Sequence, residues 1–112
     1  MINENSLTDD GAGFSAFYDT MDFTTPQAFQ SVFGRWSEIE FEAKGSTIEV
    51  QVSKNGGSSY ETIEAEQSLN ASFDYVRIPI DVSARKLRVR FVSDKAFGLR
   101  WVRVWVREGG PR

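Results

Sequence analysis

Downstream of Trp36 the chain alternates apolar and polar residues with a period of two, the spacing that puts every second side chain of a β-strand on one face. In "RWSEIEFEAKG", Ile39, Phe41 and Ala43 point one way, and Trp36, Glu38, Glu40 and Glu42 the other. "STIEVQVS" turns Ile48, Val50 and Val52 inward and shows Glu49 and Gln51, while "KLRVRFVS" buries Leu87, Val89 and Phe91 and shows Arg88 and Arg90. In "YVRIPIDVS" the inner face holds Val76, Ile78, Ile80 and Val82. Pro79 has no N–H to give to a ladder, so this strand belongs at an edge or a bulge. The last alternating stretch, "LRWVRVWVRE", sends Val102, Val104 and Val106 inward and sets Trp101, Arg103, Trp105 and Arg107 on the opposite face. "SKNGGSSY" carries Asn-Gly, a strong signal for a tight hairpin, and "YETIEAE" reads as its return strand.

Upstream the pattern changes. Residues 1–13 are polar and acidic and end in "DDGAG", a composition that predicts a flexible N-terminal arm, ordered by contact with something else. "FSAFYDTMDF" is rich in rings and reads as a strand. In "TTPQAFQSVFG", Thr25 suits an N-cap, Pro26 the first helical position and Gly34 the residue after the last turn, which predicts one short helix. Six or seven short strands separated by turn clusters predict an all-β fold. The expected form is an antiparallel β-sandwich of jelly-roll or immunoglobulin-like type over residues 14–112, with a barrel as second choice.

At 112 residues the chain has room for one core. Sixteen acidic and thirteen basic residues leave a net charge of −3, which disfavours attraction to nucleic acid or an anionic membrane. The charge is unevenly spread. Residues 1–66 carry twelve acids and three bases, a net of −9, whereas residues 67–112 carry four and ten, a net of +6. Cross-strand pairing within one domain accounts for this, and so does a bipolar subunit that stacks head to tail on its own copies. "MINENSLTDD" lacks the basic start and apolar run of a secretion signal, and no apolar run reaches the roughly 18 residues of a membrane helix. Synthesis in a cytoplasm is the expectation.

The chain has neither cysteine nor histidine, so nucleophilic catalysis would fall to serine with lysine or a carboxylate. Glu38, Glu40 and Glu42 share one face about 7 Å apart in successive pairs, a spacing open to glycoside chemistry. Their more ordinary use is in cross-strand pairs with outward arginines such as Arg88, Arg90, Arg103 or Arg107. Loop aspartates show no ordered calcium-ligand spacing, so no metal site and no cofactor is expected. Ser53-Lys54-Asn55-Gly56-Gly57-Ser58-Ser59-Tyr60 is similar to the Asp-box turn, Ser-x-Asp-x-Gly-x-Thr-Trp, of sialidase-type propellers, with Asn55 for the aspartate and Tyr60 for the tryptophan. In that family the turn is a folding device, and one copy here implies a hairpin.

The alternation of indole and guanidinium on the last strand has two explanations. Arginines about 7 Å along the strand can lean over the rings, and the aromatic N-terminal stretch can fold across them. Alternatively the face is a contact surface, since tryptophan and arginine are enriched among interface hot spots. The candidate binding residues are Trp101, Arg103, Trp105, Arg107 and Trp36, with Glu38, Glu40, Glu42, Arg88 and Arg90 as interface charges.

Over residues 36–107, the order Trp36-x-x-Ile39-Glu40-Phe41-Glu42-x-Lys44-Gly45, "IEVQVSKNGGSSY", "YVRIPI" and "KLRVRFVSDKAFGLRWVRVWV" resembles the small β-sandwich modules of tailed-bacteriophage virion proteins. These occur in tail, baseplate, neck and capsid-decorating subunits. The resemblance implies a non-enzymatic virion structural subunit that docks on other virion proteins or on its own copies. Similar patterns occur in carbohydrate-binding modules, so a glycan is the alternative partner.

Overall fold

The computed structural model describes residues 4–9, 14–20, 22–25 and 33–108, with side chains from Phe17 onward, and every regular element among them is a β-strand. The strands are β1 (Glu4–Asp9), β2 (Phe14–Asp19), β3 (Phe23–Thr24), β4 (Gly34–Lys44), β5 (Thr47–Ser53), β6 (Glu61–Ser68), β7 (Asp74–Ala84) and β8 (Lys86–Glu108). The 23 residues of β8 make it the spine. Along one flank β1, β2 and β3 follow one another, from Glu4 opposite Arg107 to Thr24 opposite Lys86. Along the other, β4 runs from Gly34 opposite Glu108 to Lys44 opposite Gly98, and β5 continues to Ser53 opposite Arg88. Outside these, β7 pairs with β4 and β6 with β5. Every pairing is antiparallel, so four long ribbons lie side by side.

A flat sheet of such ribbons would leave both faces wet. Instead the sheet curls back on itself near Gly45, and its two leaves share one apolar interior. Phe41 of one leaf meets Phe91 of the other edge-on, ring centroids 4.9 Å apart. Ile39, Val50, Val52, Leu87, Val89, Val102, Val104 and Val106 fill the space between, all essentially without solvent contact. At the bend, Gly45 has φ of 150°, and a Cβ there would stand 3.1 Å from that of Phe97, so only glycine lets the leaves turn this tightly. The opposite end closes where the Thr25 N–H donates to the Arg85 carbonyl at 3.1 Å. A Cβ on Gly34 would collide with Val106 and come within 2.7 Å of Thr25 Cγ2. Gly34→Ala is therefore expected to destabilise the fold by about 2 kcal/mol through overpacking, read from the urea midpoint.

The apolar stripes fall where the alternation puts them. Val102, Val104, Val106, Leu87, Val89 and Phe91 are buried, and Ile78 with the half-buried Val76, Ile80 and Val82 lines the core from β7. Pro79 lies on β7, an outer strand of the order β6-β5-β8-β4-β7, and in register with Glu38 beside a bulge.

Three features differ from expectation, and a fourth expectation falls outside the described residues. The all-β antiparallel class is as expected, but the strands join into one curled sheet rather than two stacked ones, because each ribbon is long enough to serve both leaves. Residues 4–9, expected within a flexible arm, form β1, whose backbone completes the free edge of β8. The short helix expected after Thr25 lies outside the described residues, and Gly34 opens β4. Trp36, expected on the outer face with the glutamates, is fully buried. A bulge between Trp36 and Glu38 inserts one residue and reverses the facing of the strand on either side, so the indole enters the core and donates to the Ala84 carbonyl at 3.0 Å.

Candidate docking face

On the leaf built from β7, β4 and β8, register stacks the outward residues into rows. Glu42 stands between Tyr75 and Trp101, Glu40 between Arg77 and Arg103, and Glu38 between Pro79 and Trp105. Beyond the bulge, Arg35 stands between Ser83 and Arg107. The acidic strand is thus flanked by rings and cations on both sides, and directly opposed residues stand about 5 Å apart at Cβ, close enough to touch.

Glu40 is the hub of this face. It belongs to the outer surface yet is only 4% exposed, because the long side chains of its neighbours lie over it. The Trp105 indole donates to its Oε1 at 2.6 Å, and the Tyr75 hydroxyl donates to its Oε2. Arg103 and Arg77 place guanidinium nitrogens 3.7 and 3.8 Å away. Burial works to raise the Glu40 carboxyl, but the hydrogen bonds from Tyr75 and Trp105 and the charges of Arg103 and Arg77 together outweigh it, holding the group below the ordinary carboxylate range. The hydrogen bond to Glu40 in turn pushes the Tyr75 phenol up.

The neighbouring acids are engaged too. Glu38 pairs with Arg77 at 2.7 Å and Glu42 with Arg100 at 3.5 Å. The rings carry cations: Arg103 lies 5.2 Å from the Trp101 centroid, and Phe73 has Arg100 at 4.1 Å and Lys44 at 4.9 Å. Tyr75, 48% exposed, tilts against Trp101 with centroids 6.2 Å apart. Trp101, Arg103, Trp105 and Arg107 are each half-buried.

Of the residues singled out from the sequence, Trp101, Arg103, Trp105, Glu38, Glu40 and Glu42 come together here, with Arg107 at one margin. Trp36 does not, being in the core. Arg88 and Arg90 belong to the other leaf, where they meet aspartates of the N-terminal ribbon instead of the glutamates. Arg88 pairs with Asp22 at 3.0 Å and Arg90 with Asp19 at 2.9 Å. Arg90 also lies between the rings of Tyr60, 3.7 Å from its guanidinium, and Phe17, 4.8 Å. The Tyr60 hydroxyl reaches Asp19 at 3.3 Å, tying the hairpin tip to the same cluster. That hairpin is held by Asn55, whose Oδ1 accepts the Ser59 N–H at 3.0 Å and the Ser53 hydroxyl at 2.8 Å.

Sequence reasoning missed Tyr75, Arg77 and Arg100. The alternation of β7 marks Tyr75 and Arg77 as outward, but only the pairing of β7 with β4 brings them to Glu40.

No protein-family model and no curated protein matches the chain. Among solved structures, the crystal structure of FLHE is similar over 96% of this chain and 98% of that one, with a TM-score of 0.51 and 15% sequence identity. At that identity the likeness is one of fold.

Proposed function

We propose that the chain is a non-enzymatic docking subunit whose β7–β4–β8 outer face seats on another protein. The observation that carries this reading is the anchoring of Trp105, Tyr75 and Arg103 on one buried carboxylate. Rings and guanidinium are held in place before any partner arrives, so little rotamer entropy remains to be lost on contact. The same engagement argues against glycoside chemistry, since Glu38, Glu40 and Glu42 each already answer an arginine. A chromogenic glycoside should show no turnover.

The setting we propose is a tailed-bacteriophage virion, which rests on the strand and turn resemblance of residues 36–107. The variant Arg103→Glu/Trp105→Ala is expected to stay folded and to join particles at least about 30-fold less well, the weight of a single hot spot. Normal incorporation of the folded variant would remove this face as the joint. A glycan is the second reading, favoured by the exposed Tyr75 beside Trp101. Protein contact ranks first because Arg103 already covers Trp101, where a sugar ring would stack. Titrating tryptophan fluorescence with a glycan panel separates the two.

A further inference from the structure

At the end of the curl where β7 passes into β8 lies an open cleft of about 790 Å3. Its walls carry three cations, Lys54, Arg85 and Lys86, and three hydroxyls, Thr24, Thr25 and Ser83. Lys54 faces Glu61 at 3.6 Å, whereas Arg85 and Lys86 make no ion pair among the described residues. Arg35, in register with Ser83, extends the positive rim onto the outer face.

The opposite sign gathers elsewhere. The outer strand β6 presents Glu64 and Glu66, and Glu66 borders a second cleft of about 420 Å3 together with Asp94 near the bend. None of these three acids makes an ion pair among the described residues. Within the molecule, Asp19, Asp22, Glu38, Glu40 and Glu42 are answered by arginines of the second half. What remains without an ion pair among the described residues is Arg85 and Lys86 in the cleft and the acids Glu64, Glu66 and Asp94.

We propose that the cationic cleft of one molecule receives the acidic β6 strip of a second copy, so that subunits add head to tail. This rests on the docking reading and names one of its partners. A strand at a sheet edge is narrow and projecting, and the cleft is concave. Glu64 and Glu66 meet Arg85 and Lys86, with the Thr24 and Ser83 hydroxyls beside them to hydrogen-bond the carboxylate oxygens. The contact is heterologous, using different surfaces on the two copies, and so builds a ring or an open filament.

The test is light scattering of the whole chain over a concentration series at low and high salt. At low salt the apparent mass is expected to rise at least about twofold, and to fall back at high salt as the facing charges are screened. Arg85→Glu/Lys86→Glu and Glu64→Lys/Glu66→Lys should each stay monomeric with unchanged circular dichroism. Mixed in equal amounts they should associate again, since both reversed surfaces then find a complement. A wild-type chain that stays monomeric throughout overturns the proposal, as does association unaffected by the reversals. Salt-sensitive binding of a single-stranded oligonucleotide by the monomer, lost in Arg85→Glu/Lys86→Glu, would also overturn it. Arg103→Glu/Trp105→Ala leaves self-association intact here, so failure of the head-to-tail contact and failure of the outer face are read separately.

Discussion

Trp36→Ala is expected to lower the melting temperature by about 15–20 °C while leaving the outer face unchanged. The indole is fully buried between the leaves, and truncating a buried tryptophan costs about 3–5 kcal/mol in lost transfer and cavity free energy. The Ala84 carbonyl, which accepts the indole N–H at 3.0 Å, is left without that partner. In a domain of this size each kcal/mol moves the midpoint by about 4–5 °C. Trp36→Phe, which refills most of the cavity, should recover more than half of the loss. The opposite pattern, an unchanged midpoint with weaker partner binding, would return Trp36 to the docking surface.

Glu40→Ala should come next, at about 2–3 kcal/mol. Breaking a buried hydrogen-bonded ion pair from one side costs about 3–5 kcal/mol, and a discount applies because only a layer of side chains separates this group from water. The loss comes from Tyr75 and Trp105, left without their acceptor, and from Arg103, left without its anion, while Arg77 keeps Glu38 at 2.7 Å. Glu40→Gln keeps an acceptor and should be milder. Acidification tests the same hub. The folded carboxyl sits below its ordinary value of 4.5, so its contribution is complete above that pH and fades as the pH drops toward the folded value. Melting temperatures of wild type and Glu40→Gln should therefore converge on acidification below 4.5 and stay parallel above it. A gap that persists in strong acid would mean that the charge of Glu40 is irrelevant to the face.

The apolar stripes were legible because a half-buried strand has to alternate, and each stripe from Ile39 to Val106 follows that rule. Trp36 was not, since the extra residue at the bulge flips the facing of everything before it while leaving the written alternation intact. The glutamate and arginine partners were legible as types and illegible as pairs. Arg103 meets Glu40 but Arg88 and Arg90 meet Asp22 and Asp19, a choice set by which ribbon lies beside which. The polar composition of residues 4–9 concealed β1, whose pairing with β8 draws on backbone hydrogen bonds that any non-proline sequence can make. The curl itself has only a faint trace in the text. "SDKAFG" interrupts the alternation between Phe91 and Leu99, where β8 passes from one leaf to the other.

Among the described strands the spine comes last in chain order. Every strand but β6 and β7 hydrogen-bonds directly to β8, and those two attach only to β4 and β5. A nascent polypeptide leaving the ribosome therefore extrudes the seven other described strands before the one that joins them, and the apolar stripes of β4 and β5 wait without their β8 cover until translation has passed residue 108. Stalled or prematurely terminated chains would be clients for chaperones and proteases rather than partly working products.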